Sequence, residues 1–414
     1  RVLVALAVVG VLGAGGVVAY VLHQRHVGRD VRGSPAVEFE TKETPTPRRP
    51  RRKLPIEWPT YGFNAERVRA VDLPLRPPFR RIWRFGARSL LEFPPVIGYG
   101  RLYVVNNAGR VLAVNTRTGK RAWRYDSGRC AAASPALGRG TVYVAFLYRH
   151  PCRPRDNVDG EVAAFGIGFG KLRWRRRLGP SETSPLVANG LVYVGDWSGR
   201  VYALDEKTGR TRWTFRTGGE VKGGVALAGG RLYVGSYDGH VYALDARTGR
   251  RIWRASAQPR LGGRGTFYST PAAAYRRVYI GSTDGKVYSF GALSGKLRWS
   301  QSTGGYVYAS PAVWRKRILV GSYSGYFYAL DAATGEVRWR FRANGPISGS
   351  ATVIGRVVYF ATLERRTYAL DAATGRQLWT FGDGKYTPVV ADAKRLYLVG
   401  YGRMYGMVPR GRRR

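Results

Sequence analysis

Seven near-copies of one eleven-residue unit, with an eighth divided between the two ends of the chain, constrain this sequence to a closed ring. The full unit runs Ala203, Asp205, Thr208, Gly209, Trp213 and returns as Ala243 to Trp253, Ala329 to Trp339 and Ala369 to Trp379. Looser copies run Ala113 to Trp123, Ala164 to Trp174 and Ser289 to Trp299. The last copy opens at Tyr405-Gly406-Met407, and its tryptophan slot falls past Arg414. Trp83, in Arg81-Ile82-Trp83-Arg84-Phe85, has the right setting but no unit of its own. A ring whose first strand completes its last unit accounts for both facts.

The tryptophans at 83, 123, 174, 213, 253, 299, 339 and 379 recur about every forty residues, the spacing of blades or solenoid units. Each unit reads as four short strands. One copy shows Val225-Ala226-Leu227, then Arg231-Leu232-Tyr233-Val234, His240-Val241-Tyr242-Ala243-Leu244 and Arg251-Ile252-Trp253-Arg254, with turns at Asp238-Gly239 and Thr248-Gly249. Glycine tolerates the positive φ of tight hairpins, and Ser198-Gly199, Asp284-Gly285 and Ser324-Gly325 repeat the signal. No helical apolar period occurs between residues 80 and 408. The expected fold is therefore all-β, an eight-bladed β-propeller of four-stranded blades over residues 80–408. Innermost strands are expected near 95–98, 135–138, 185–188, 224–227, 271–274, 311–314, 350–353 and 387–390. The last blade has three strands of its own, so residues 80–85 supply the fourth and leave no open edge.

The spacing Ala-x-Asp-x-x-Thr-Gly-x-x-x-Trp resembles the tryptophan-docking motif of the pyrroloquinoline-quinone-type propeller repeat. That family includes quinoprotein alcohol dehydrogenases and the lipoprotein propeller of the outer-membrane assembly machine, and the resemblance leans to the latter. It implies that Trp83, Trp123, Trp174, Trp213, Trp253, Trp299, Trp339 and Trp379 dock between blades, against the alanine and glycine of the motif. These residues then carry packing rather than chemistry. A buried indole brings a large apolar area and one N–H that needs an acceptor.

Residues 1–22 contain an uncharged Val/Ala/Leu/Gly run from Val2 to Leu22, long enough to span a bilayer as one helix. A transmembrane anchor ahead of the propeller is expected; a cleaved signal peptide is the alternative. Residues 23–57 are rich in proline and arginine, as in Thr44-Pro45-Thr46-Pro47 and Arg48-Arg49-Pro50-Arg51-Arg52-Lys53, and read as an extended linker. Residues 58–79 open Trp58-Pro59-Thr60-Tyr61-Gly62 and resemble the lead-in of secreted propellers of this repeat family, packed on the propeller. Residues 409–414 form a basic tail.

Arg25, Arg29 and Arg32 after the apolar run would place that side in the cytoplasm. The two cysteines argue otherwise. Cys130 lies in the connection from blade one to blade two, and Cys152 in an insertion, Tyr148 to Gly160, of blade two. Both connections emerge on one rim, so a disulfide is expected, which belongs to an oxidising compartment. The expected location is the cell membrane, single-pass, with the propeller extracytoplasmic.

The formal net charge is +43. Arg173, Arg175, Arg177, Arg212, Arg216, Arg338, Arg340 and Arg342 alternate around the motif tryptophans and should line exposed outer strands. Charged edges resist edge-to-edge association; they also offer a surface to an anionic envelope polymer or lipid headgroups. No nucleic-acid motif accompanies the charge, and no specific nucleic-acid partner is expected.

No nucleophile with its base, acid–base pair, metal cluster or phosphate loop has adequate spacing, so catalytic, metal and cofactor-binding residues are all expected to be none. Quinoprotein dehydrogenases carry an adjacent cysteine pair; Cys130 and Cys152 are not adjacent, so a quinone-dependent oxidoreductase with an altered ligand set is the alternative. The loops that share one face carry Trp197, Tyr237, Phe267, Tyr268, Tyr306, Tyr308, Tyr323, Tyr386 and Tyr401, the materials of a recognition site. Glu92, Glu182 and Glu220 precede innermost strands and are expected at the channel mouth. The functional expectation is a monomeric, non-catalytic, membrane-anchored scaffold that binds an envelope protein or peptide.

Overall fold

In the strands that follow each innermost strand, runs such as Leu232-Tyr233-Val234-Gly235 and Val241-Tyr242-Ala243-Leu244 are buried on both faces. Such strands need a neighbouring sheet on either side. The outermost strands instead alternate, with Arg338, Arg340 and Arg342 exposed and Trp339 and Phe341 half-buried. The computed structural model, which describes residues 17–18, 21–22, 28–40, 56–152, 159–258, 265–386 and 389–410, resolves this pattern as eight radial antiparallel sheets.

Blades one to seven are built in sequence order, their innermost strands being Val96–Gly98, Ala136–Gly138, Leu186–Ala188, Ala226–Ala228, Ala272–Ala274, Ala312–Trp314 and Thr352–Ile354. Blade eight begins at Val390–Ala391, and its outermost strand is Phe79–Gly86, paired antiparallel with Arg403–Pro409. The N-terminal strand thus closes the ring, as the divided repeat requires.

Seven of the eight indoles pack against the glycine turn of the next blade, and the eighth, Trp379, meets Phe79 of the closing strand edge-on at 5.7 Å. A Cβ on Gly119 would lie 2.6 Å from the Trp83 ring, and one on Gly335, at φ +78°, 2.7 Å from Trp299. Only glycine suits that φ and that approach. The indole N–H of Trp83 donates to the Thr116 carbonyl at 3.0 Å, and that of Trp299 to Ala332 at 2.9 Å.

Two N-terminal segments depart from the sequence reading. Residues 28–40, read as linker, lie along the outer strand of blade five, where Val31 and Ser300 form an antiparallel bridge. The lead-in, expected to pack on the propeller, does so from within the central channel. Ile56–Trp58 adds a fifth strand to blade one and Ala70–Val71 a parallel one to blade seven. Between them Pro59, Ala65, Glu66, Val68 and Arg69 accept backbone hydrogen bonds from Leu137, Leu227, Ala273, Val313 and Val353 of five innermost strands. The physical reason is valence: innermost strands have an unpaired edge facing the channel, and the lead-in satisfies it.

Among the described residues no helix is long and apolar enough to cross a membrane. The transmembrane helix expected ahead of the propeller is therefore not part of the observed fold. Most of residues 1–22, like residues 41–55 and the tail from 411, lies outside the described residues.

Candidate functional site at the channel mouth

The connections between blades converge at one end of the channel, around a small cavity of about 50 Å³ that is partly open to solvent. Its wall takes one side chain from each of several equivalent positions just before the innermost strands: Glu92, Glu182, Lys222, Tyr268, Tyr308 and Ser348. Its floor is Tyr61 from the lead-in, whose hydroxyl is 2.6 Å from Ser350 Oγ. A girdle of small hydroxyls ties neighbouring blades below the rim. Ser184, Thr270, Ser310 and Ser350 accept from the backbone N–H groups of Ser134, Gly224, Thr270 and Ser310 at 2.8–3.0 Å.

The floor is held by two arginines that are 0–1% exposed. The Arg67 guanidinium donates to the Val225, Ser184, Pro185 and Tyr61 carbonyls and to the Thr60 hydroxyl. Burial and the neighbouring Arg69 push its pKa down to about 9, so it stays a cation at neutral pH. Arg69 lies 4.4 Å over the Tyr61 ring and donates to the Arg67 carbonyl at 2.7 Å.

At the wall, burial pushes the Glu182 carboxyl up to about 7, with Glu92 adding repulsion and Lys222 opposing it. Its oxygens accept from Trp197 Nε1 at 2.9 Å and the Tyr268 hydroxyl at 3.4 Å. Glu92 is also raised, by burial first, while Asn107 donates to it at 3.0 Å. The Lys222 ammonium sits 4.5 Å from the Trp197 ring and 4.6 Å from that of Tyr237, a cation between two aromatic faces.

Aromatics continue round the rim: Tyr268 meets Tyr308 edge-on at 5.2 Å, and Tyr308 meets Tyr323 at 5.1 Å. Tyr306 and Tyr401 are 55% and 41% exposed, and Tyr386 lines the cavity. Eight of the nine aromatics read from the sequence thus belong to this face. Phe267 does not: it is fully buried and fills the space above Gly235, as Val307 does above Gly281. Glu220 is a second correction; it pairs with Lys222 at 3.0 Å outside the cavity, and Lys222 takes the inward position of that blade. Lys222, Ser348 and the lead-in residues Tyr61, Arg67 and Arg69 were not anticipated. Aligning the blade connections to one another would have found the first two.

Cys130 and Cys152 are disulfide-bonded, with Cα atoms 5.8 Å apart. The bond ties the blade-two insertion to a cluster in which Cys130, Leu147 and Tyr148 pack on Trp197. Buried Arg129 holds the same insertion through Asp159 at 3.0 Å and Glu161 at 3.2 Å. His150 lies 3.3 Å from Cys152, but both sulfurs are spent in the bond and offer no thiolate to a metal.

The titration of Glu182 gives a testable sign. Its folded pKa is raised, so its ionisation destabilises the fold: the penalty is absent below about pH 4.5 and complete above about 7. Glu182→Gln, which keeps an acceptor for Trp197, is expected to flatten the fall in stability across that window. The difference is bounded at about 3 kcal/mol. Denaturation midpoints measured through this range check it; parallel wild-type and variant curves would contradict it.

Blades, glycine-seated indoles and a walled channel mouth define an eight-bladed β-propeller. The family model for "Outer membrane protein assembly factor BamB" matches residues 80–149, 158–310 and 302–414, and the chain belongs to that family. It is 34% identical over 155 residues to the serine/threonine-protein kinase AfsK of Streptomyces griseus, covering 33% of this chain and 18% of the kinase. It is 32% identical over 130 residues to the assembly factor BamB of Moranella endobia, covering 29% of this chain and 30% of that protein. The chain thus matches less than a third of either relative's length.

Among solved structures, BamB from Moraxella catarrhalis superposes with a TM-score of 0.67 at 17% identity, covering 80% of this chain and all of that one. The quinohemoprotein alcohol dehydrogenase of Comamonas testosteroni gives 0.72 at 16%, covering 86% and 81%. Both likenesses speak to fold.

Proposed function

We propose that this protein is a non-catalytic, membrane-anchored, extracytoplasmic propeller that binds an envelope protein or peptide through its channel-mouth face. The observation that carries the reading is the composition of that face. Trp197, Tyr237, Tyr268, Tyr308 and Tyr386 surround the Glu92 and Glu182 carboxylates and the aromatic-flanked ammonium of Lys222, on loops fixed by a rigid ring. The assembly-factor relatives support a binding role, and the disulfide supports an oxidising compartment. A quinone-linked reading draws on the dehydrogenase likeness, but the residues present do not fit it. The two cysteines are 22 positions apart and bonded to each other, and the Glu182 carboxylate is engaged by Trp197 and Tyr268.

The test is retention of envelope proteins by the purified full chain, wild type beside Trp197→Ala with Tyr237→Ala, at low and high salt. A partner retained at high salt and lost in the double variant is the expected result. Retention only at low salt, indifferent to the substitutions, would leave the arginine-rich surface as the working principle.

A further inference from the structure

Residues 28–40 form a built clasp on one blade. Asp30 accepts from the Ser302 N–H at 2.9 Å and its hydroxyl at 2.7 Å, and Arg32 donates to Gln301 at 2.8 Å. Gly33 N–H donates to the Thr334 carbonyl at 3.0 Å, and a Cβ there would collide with Ala333 and Trp299. Two buried cations serve the clasp's backbone. Arg277 donates to the carbonyls of Ser34, Val37 and Glu38 at 2.6–3.1 Å, and Lys286 to those of Gly28 and Arg29 at 2.7 and 3.2 Å. The Glu38 carboxylate in turn takes Arg298, the Ser294 hydroxyl and two backbone N–H groups of the Leu293–Ser294 turn.

Blade five is adapted to receive it. Its outer strand reads Trp299-Ser300-Gln301-Ser302 where blade six reads Trp339-Arg340-Phe341-Arg342. Small polar residues replace the arginines at the positions where the clasp pairs.

The clasp also has a direction. Gly28 and Asp30 lie at Lys286 and Ser302, the end of blade five that leads into the connection bearing Tyr306 and Tyr308. Glu38 and Glu40 lie at the Leu293–Ser294 and Tyr275–Arg276 turns, at the opposite end of the strands. Gly28, the first residue of the clasp, therefore sits on the channel-mouth side. In sequence, six peptide steps separate Gly28 from Leu22, about 20 Å at full extension. A free 35-residue linker would have allowed on the order of 120 Å.

We propose that the clasp holds the propeller with its channel-mouth rim at blades five and six against the membrane, so that Tyr306 and its neighbours meet lipid headgroups. This rests on the reading of residues 2–22 as a bilayer anchor. Exposed Tyr306, grouped with Tyr308 at 6.0 Å and Tyr323 at 6.3 Å, supplies the amphipathic rings that favour the interfacial layer. The opposite face of blade five lies a strand's length farther from Gly28.

The full chain is placed in lipid nanodiscs with a headgroup acceptor dye. A donor is carried, by a non-canonical amino acid, either at Tyr306 or at Arg250 on the far-side turn of blade four. Severalfold stronger energy transfer from position 306 is expected. Inserting about twenty Gly/Ser residues between 27 and 28, which leaves every clasp contact intact, should abolish the difference. Equal transfer from both sites in a protein that co-floats with the discs overturns the orientation and leaves the anchor standing. Failure to co-float overturns both. Arg277→Met with Lys286→Met should also equalise the two sites, and the insertion variant keeps the test valid if that pair fails to fold.

Discussion

Trp299→Ala is expected to cost about 3–5 kcal/mol, the largest loss among the eight seam tryptophans. Its ring has no exposure, donates to Ala332, packs on Tyr279 at 5.8 Å and touches Gly33 of the clasp. One truncation thus empties the seam between blades five and six and undercuts the clasp. Trp213, half-buried on an uncovered blade, should cost distinctly less. Urea midpoints for the two variants decide it, and a smaller loss at Trp299 than at Trp213 would refute the ranking.

Arg67→Met is expected to cost a similar 3–5 kcal/mol for a different reason. The guanidinium is the donor for four carbonyls and a hydroxyl inside the channel, and methionine takes that donor from all of them, leaving only the Thr60 hydroxyl on the Pro185 carbonyl. Arg67→Lys should rescue little, since an ammonium lacks the planar fork that reaches all of them. The predicted signature is a lowered denaturation midpoint together with new protease cleavage between residues 56 and 75, where the lead-in leaves the channel. A lowered midpoint without that cleavage would show that Arg67 supports the blades and not the plug.

The propeller was legible because a large, rare residue recurs at constant spacing and strand burial follows from alternation. Ring closure was legible from an arithmetic surplus and deficit of one tryptophan. The aromatic face was legible in outline, since topology alone puts these connections on one rim. Phe267 was misplaced for want of comparison with Val307: both follow outer strands, and both fill the space over a glycine at the end of the second strand of the blade just completed. The clasp and the plug were invisible to periodicity because each occurs once, and much of their bonding is to backbone acceptors, which have no sequence signature. What they require of their hosts is visible. Blade five trades arginine for Ser300-Gln301-Ser302, and Arg67 and Arg69 stand in an aromatic, glycine-containing lead-in.

The closing strand sets a timetable for biogenesis. Phe79–Gly86 finds its partner only in Arg403–Pro409, more than three hundred residues later in translation. At roughly 5–20 residues per second it waits on the order of 15–60 s with one edge bare and Trp83 without its seat. During that interval the nascent chain is an incomplete circle with two adhesive ends. A ribosome that stalls before Arg403 leaves a product that neighbouring chains can complete by lending a strand, so quality control of this propeller is decided when Arg403–Pro409 emerges.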